Sequence, residues 1–295
     1  MRISRTGKIP TICVTVGDPR GIGPEVTAKA LRDPSLRGIA RLTVIGELGS
    51  AGRRPGERAS ARRSIEYIEE ALGLIGSGKA DALVTGPVSK ESISRSGIDF
   101  AGHTEYLARR SGSKKFAMMF VSPDLRLSLV TRHIPLIDVS GALTPQRIAD
   151  TVSLTYESLR KDFKIPRPTI GVAGLNPHCG EGGLFGVEEK RIITPTIKKL
   201  ARRFSTIYGP IPGDTLLFDL YRRRYDAGVC MYHDQGLPAF KMIARSTGVN
   251  VTLGLPFVRT SVDHGTGFDI AGKGIADPGS MIAAIRLAAR MTSTC

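Results

Sequence analysis

The chain has 295 residues, 42 lysines and arginines against 27 aspartates and glutamates, and a formal net charge of +15. With 41% hydrophobic residues it can bury a sizeable core and is too apolar to stay disordered. The basic residues are scattered (Arg53 to Arg63, Lys198 to Arg203, Arg222 to Arg224), with no interleaved aromatic residues and no tryptophan. That argues against a nucleic-acid partner and leaves two readings, a solvated arginine-rich surface or a field that draws in anionic, phosphorylated small molecules.

No apolar run is long enough to cross a bilayer, so no membrane partner is expected. The start, MRISRTGKIPTICVTVGD, enters a strand without the apolar stretch of a secretory signal. The four cysteines, Cys13, Cys179, Cys230 and Cys295, show no CxxC spacing. Both features point to reduced thiols and a cytoplasmic location.

Residues 10–16 form an expected buried strand, followed by GDPRGIGPEVTAKAL, a glycine-rich turn and a helix. Pro24 suits a first helical turn and Glu25 its positive end. Such a turn can cradle an anion or simply join strand to helix; neither GxGxxG nor GK[ST] is present. A second strand is expected over 40–47, an exposed basic loop over 51–63 and an amphipathic helix over 64–78. Residues 80–93 pass from strand through Gly86-Pro87 to a helix start at Ser89 and Lys90. His103 and Thr104 begin a helix over 101–110.

Residues 115–136 are expected to hold two strands joined at Ser122-Pro123-Asp124, with His133 where the second ends. A helix follows over 142–163, then a strand and a polar loop over 168–189 bearing Asn176, His178 and Glu181. A helix is expected over 191–204, and a short strand and loop carrying Asp214 over 207–218. Residues 225–274 hold two histidines beside aspartates (His233 with Asp234, His264 with Asp263), and Lys241, Asn250 and Arg259 among short apolar runs. They suggest a site built on strand ends and loops. A closing helix covers 277–291. Repeated strand–turn–helix units indicate an α/β fold with a mainly parallel sheet.

His103, His133, His178 and His233 share one setting, at or just beyond a strand or turn among Gly, Pro, Thr, Asn and Asp. Ligands of parallel α/β folds bind at the carboxyl ends of strands, where distant histidines can meet. Imidazole there can ligate a divalent metal, act as a base or donate a hydrogen bond; a structural role remains for any one of them.

The segments GDPRGIGPEV, VTGPVSK, GHTEYLA, TRHIPL, LNPHCGEGG, GPIPGDTLLF, MYHDQGL and NVTLGLPFVRTSVDHGTGFDIAGKG run through nearly the whole chain in order. In them the sequence resembles the 4-hydroxythreonine-4-phosphate dehydrogenase (PdxA) family of vitamin B6 biosynthesis. The resemblance implies metal ligation by His133, His178 and His233, and substrate binding by His103, Thr104, Lys241, Asn250 and Arg259. Asp214, Asp234 and Lys241 become candidates for proton handling, with turn capping the alternative for the two aspartates. The loop around His264, Gly265, Gly267 and Asp269 would face the cofactor. The region over 48–63 is short and basic beside the family's usual length.

The family implies two α/β/α domains like those of isocitrate and isopropylmalate dehydrogenases, with the active site in the interdomain cleft. One domain would comprise residues 1–108 with 237–295, on the cofactor side, and the other residues 109–236, on the metal and dimer side. It also implies a homodimer with a shared active site, NAD or NADP, and one divalent ion (Zn, Mg or Co).

The implied reaction is oxidation of a phosphorylated substrate, 4-phosphooxy-L-threonine, to a 3-keto acid that decarboxylates to 3-amino-2-oxopropyl phosphate. Oxidising a secondary alcohol needs a hydroxyl proton and a hydride removed, which suits a Lewis-acid ion and a nicotinamide. The alternatives are a related dehydrogenase of D-threonate or D-erythronate 4-phosphate or of a cis-dihydrodiol carboxylate, and, more remotely, a metal-dependent hydrolase.

Overall fold

A computed structural model describes residues 9–49 and 55–293. In chain order, β1 (Thr11–Thr15), α1 (Gly23–Leu31), β2 (Arg41–Ile45), α2 (Glu57–Gly76), β3 (Ala82–Thr85), α3 (Lys90–Arg95) and α4 (His103–Arg110) come first. Then follow β4 (Ala117–Val121), β5 (Arg126–Leu129), α5 (Val139–Ala142), α6 (Pro145–Lys161), β6 (Ile170–Ala173), α7 (Thr194–Arg203), β7 (Ile207–Ile211) and α8 (Gly213–Tyr221). The last are β8 (Ala227–Cys230), α9 (His233–Ala244), β9 (Val249–Leu253), β10 (Val258–Val262) and α10 (Gly279–Thr292). The chain forms two compact units, residues 1–113 with 255–295 and residues 114–254.

In the first unit the strand order is β2-β1-β3-β10, all parallel. β1, β3 and β10 are buried along nearly their whole length, as expected of parallel strands covered on both faces, whereas the edge strand β2 alternates with solvent. α2 packs on β1 and α10 on β3 and β10. Cys13, Ile45, Ile65, Ile68, Leu83 and Leu107 form one side of the core.

In the second unit the order is β9-β4-β5-β8-β6-β7. β9, β4 and β5 pair antiparallel; β5, β8, β6 and β7 pair parallel. One core contains Ile148, Val152 and Leu159 of α6 with Ile197 of α7. The other contains Leu216 and Leu220 of α8 with Leu237 and Phe240 of α9. The expected α/β class with a largely parallel sheet is what the strands form.

Three local expectations are corrected. Residues 57–63 are the start of α2, not an exposed loop, while 50–54 lie outside the described residues. The buried stripe there is made of Ser60, Ala61 and Ser64, which carry no apolar periodicity. Ser64 Oγ donates to Ser60 O, and Ser60 Oγ to the Asp18 carboxylate. Asp214 stands in the first turn of α8 rather than in a loop, at the end where a carboxylate is favoured. Residues 233–244 form a helix although the sequence places Gly236 and Pro238 inside it. Burial of Leu237, Phe240 and Ala244 on one face overrides the two breakers.

Candidate active site

β8 lies between β5 and β6, and all three run parallel, so their carboxyl ends share one side of the sheet. His133, His178 and His233 follow those three strands within a few residues. The segments are stitched together at this edge. Thr131 N and Thr131 Oγ1 both donate to Met231 O, at 3.0 and 2.7 Å. Gln235 Oε1 accepts Met231 N at 2.7 Å and its Nε2 donates to Gly174 O at 2.6 Å. The rings of His133 and His233 are 5.4 Å apart between centroids. His233 Nδ1 lies 2.6 Å from Asp234 Oδ1. In the tautomer that donates Nδ1–H to this carboxylate, Nε2 is the nitrogen that offers a lone pair to a metal.

His103 opens α4 in the first unit, at the helix start where the sequence places it and not at a strand end. Among the described residues no three His, Cys, Asp or Glu side chains gather in a way that holds a metal ion. One chain thus brings two imidazoles together, a donor set suited to zinc and similar ions, and keeps His178 on a neighbouring strand end.

His178 sits in an unusual turn. His178 (φ 52°), Cys179 (φ 56°), Gly180 (φ 77°), Glu181 (φ 41°) and Gly182 (φ 70°) all have left-handed backbone. Each non-glycine there costs roughly 1–2 kcal/mol, so the surroundings must hold the turn. Glu189, only 4% exposed, accepts Leu175 N and Asn176 N on Oε1, both at 2.7 Å, and Asn176 Nδ2 on Oε2 at 2.9 Å. Glu188 Oε2 accepts Asn176 Nδ2 at 2.9 Å, and Glu188 Oε1 accepts Ser140 Oγ of α5 at 2.5 Å. The Ser140 hydroxyl, then the Asn176 amide, hold the Glu188 carboxyl below its usual range. Gly186 (φ 136°) has no side chain because a Cβ would run into the Asn176 amide. Burial, with Glu189 and Asp214 adding, pushes the Cys179 thiol up. Burial alone pushes Cys230 up to about 12. Both stay protonated and pack as small apolar groups.

The substrate residues expected from sequence fall in both units. In the first, Arg259 of β10 is 2% exposed and donates from Nη2 to Thr85 Oγ1 at 2.6 Å. Burial pushes its guanidinium down to about 9, with Glu105 opposing, so it remains a cation at neutral pH. Burial first, then Arg259 and Lys90, hold His103 well below its ordinary 6.5. His103 is therefore a neutral imidazole, and its covered Nε2 has no hydrogen-bond partner among the described residues. Its ring stands edge-on to Phe100 at 5.6 Å. Thr104 beside it is buried. In the second unit, Lys241 lies exposed in the last turn of α9, on a helix rather than just past a turn or strand. Asn250 lies in β9 opposite Phe120, and its buried Oδ1 has no partner among the described residues.

The loop expected to face a cofactor follows β10. His264 Nδ1 lies 3.0 Å from Gly265 O, and its buried Nε2 has no partner among the described residues. Gly267 has φ 51° and Asp269 is exposed. The loop meets the glycine-rich turn after β1, where Ile22 N donates to Thr266 O at 2.8 Å, and that turn is tied to the one after β3 by Asp18 N donating to Pro87 O at 2.8 Å. Arg20 stacks over Phe268 at 5.4 Å. Glycine-lined loops at the carboxyl ends of parallel strands, with an orphaned ring nitrogen among them, suit a nucleotide.

Sequence reasoning missed Gln235, Glu189 and Lys90. Gln235 and Lys90 stood in the segments YHDQG and VTGPVSK, which could have flagged them. Glu189, in GVEEK, carries no local sign of burial.

A family profile described as "Pyridoxal phosphate biosynthetic protein PdxA" matches residues 28–288. The chain is 43% identical over 326 aligned residues to the 4-hydroxythreonine-4-phosphate dehydrogenase of Desulforapulum autotrophicum, covering 96% of each chain. It is similar to the crystal structure of 4-hydroxythreonine-4-phosphate dehydrogenase from Klebsiella pneumoniae, with TM-score 0.84 and 35% identity over 96% of this chain and 99% of that one. It shares its fold with isocitrate dehydrogenase from Methylococcus capsulatus, at TM-score 0.54 and 15% identity over 94% of this chain and 84% of that one. Among the described residues no helix is long and apolar enough to cross a membrane.

Proposed function

The chain belongs to the PdxA family of pyridoxal phosphate biosynthetic proteins, and from that premise we propose a metal-dependent, NAD(P)-linked dehydrogenase of 4-phosphooxy-L-threonine. It oxidises the 3-hydroxyl, and the keto acid loses carbon dioxide to give 3-amino-2-oxopropyl phosphate. The observation that carries this reading is 43% identity, over nearly all of both chains, to a protein named for that activity.

His103, Thr104, Arg259, Lys241 and Asn250 bind the substrate in this reading. A fully buried guanidinium offers a phosphate or carboxylate a paired, directional contact that a lysine does not. The neutral His103 accepts or donates a hydrogen bond without adding charge. Asn250 Oδ1 accepts one from the substrate's ammonium or hydroxyl. Lys241, Asp214 and Asp234 move protons or orient neighbours, and Asp234 is within reach of His233 to do the second. His264, Gly265, Gly267 and Asp269 line the nicotinamide nucleotide. His133, His178 and His233 hold one divalent ion (zinc, magnesium or cobalt). When bound, the ion supplies Lewis acidity and the nicotinamide accepts the hydride.

We further propose a homodimer whose metal site takes histidines from both copies. His133 and His178 are exposed in one chain. Beside them stand exposed apolar residues, Ile134, Leu136, Ile137, Leu184, Phe185 and Val187, on segments that Ser140 and Glu188 tie together. A patch of that kind at a functional edge is the mark of an interface. The free thiols of Cys13, Cys179 and Cys230 agree with a cytoplasmic setting.

The test is a panel of 4-phosphooxy-L-threonine, D-threonate and D-erythronate 4-phosphates and a cis-dihydrodiol carboxylate, followed by NADH absorbance. Fastest turnover of the threonine phosphate, abolished by a chelator and restored by a divalent ion, is expected. Faster turnover of the non-phosphorylated diol would sink the assignment.

A further inference from the structure

We propose that Glu189 is the positioning residue of the metal site: its buried carboxylate holds the left-handed turn that presents His178. The inference rests on reading His178 as a metal ligand.

Glu189 opens the π-helical turn (189–193) before α7, where a glutamate would ordinarily face solvent. Instead it points back across the loop. One oxygen takes two consecutive backbone N–H groups, Leu175 N and Asn176 N, and the other takes the Asn176 side-chain amide. Those donors lie just before Pro177 and the run of six positive-φ residues from His178 to Gly183. Cys179 N donates to Asn176 O at 3.1 Å and Phe185 N to Gly180 O at 3.2 Å, so the turn is anchored at its entry, where Glu189 acts.

The same asparagine amide also reaches Glu188, and Glu188 reaches Ser140 beyond the His133 segment. The adjacent glutamates thus link the segments bearing two of the histidines. A carboxylate suits the place because the three groups hydrogen-bonded to it, Leu175 N, Asn176 N and Asn176 Nδ2, are all donors. A glutamine would keep the two backbone bonds on its carbonyl and set its own NH2 against the Asn176 NH2. Outer partners of this kind orient ligands and commonly govern affinity by one to two orders of magnitude.

The experiment uses the full-length, metal-free protein and Co2+ as the probe, titrated by visible absorption. Glu189→Gln, His178→Ala and the double variant are compared with the wild type, and amide hydrogen exchange is measured over residues 176–183. Glu189→Gln is expected to weaken Co2+ binding about 10- to 100-fold and to speed exchange in the turn, with no further weakening in the His178→Ala background. Unchanged binding and exchange, or an equal loss with and without His178, would overturn the proposal. If Glu189→Gln does not fold, Asn176→Ala makes the same comparison with a smaller expected loss, since both backbone bonds stay. If the wild type binds Co2+ no better than His178→Ala, the ligand reading falls and the proposal with it. The exchange data then separate that failure from a failure of the hold.

Discussion

At the residue scale, burial sets the protonation states that the proposed chemistry uses. Arg259 stays cationic inside the protein, and burial first, with the positive charges of Arg259 and Lys90 adding, keeps His103 neutral. Arg259→Met is expected to lower kcat/KM for the phosphorylated substrate by roughly 10- to 100-fold, the loss of a hydrogen-bonded charged contact. Arg259→Lys recovers only part, because the planar fork is gone. An unchanged KM in both variants would refute the contact.

His103 also leaves a signature in stability. Its folded pKa lies well below its ordinary 6.5. As pH falls through that value the unfolded chain takes up a proton and the folded one does not. Stability is therefore lost on acidification, beginning near pH 6.5 and continuing down to the folded pKa. The urea midpoint should fall between neutral and mildly acidic pH, and His103→Gln should remove that part of the slope. Parallel slopes in the two proteins would count against it. Candidate roles were legible for the histidines, Lys241 and Arg259, which stood in recognisable segments; Lys90 stood in one and was still missed. Those of Glu189 and Gln235 were not legible, because they act by hydrogen-bonding backbone groups of Leu175, Asn176, Met231 and Gly174, which no residue type at a fixed spacing announces.

At the element scale, the parallel order β5-β8-β6 gathers the histidine segments, and α9 aims one of them. α9 packs closely because Gly236 has no side chain: a Cβ would run into Leu127 Cδ2 and press on Cys230 Sγ. Gly236→Ala is expected to destabilise by about 1–3 kcal/mol through overpacking. A shift in urea denaturation below about 0.5 kcal/mol, the range of neutral surface changes, would show that Leu127 yields. Gln235→Leu should cost about 1–3 kcal/mol by leaving Met231 N and Gly174 O without partners.

Most strands were legible as short apolar runs between glycines and prolines. The start of α2 was not, because serine and alanine form its buried stripe. α9 was not either, because Gly236 and Pro238 argue locally against a helix that tertiary burial stabilises.

At the scale of the whole molecule, net charge and exposed apolar surface decide partners. A charge of +15 steers phosphorylated substrates inward, so kcat/KM should fall as ionic strength rises, chiefly through KM. Ile137 is 89% and Leu184 74% exposed on the segments that carry His133 and His178, the proposed metal ligands. Ile137→Asp with Leu184→Asp should turn the proposed dimer into a monomer by light scattering and abolish metal-dependent turnover. An active dimeric double variant would move the interface elsewhere.

The sequence by itself determined the α/β class, the family and the identity of the candidate residues, because residue types at ordered spacing survive without coordinates. Only the tertiary structure decided which strand ends adjoin, that His178 rides a left-handed turn held by a buried carboxylate, and that His103 is neutral. Those depend on strand order, burial and long-range hydrogen bonds, which no local stretch of chain encodes.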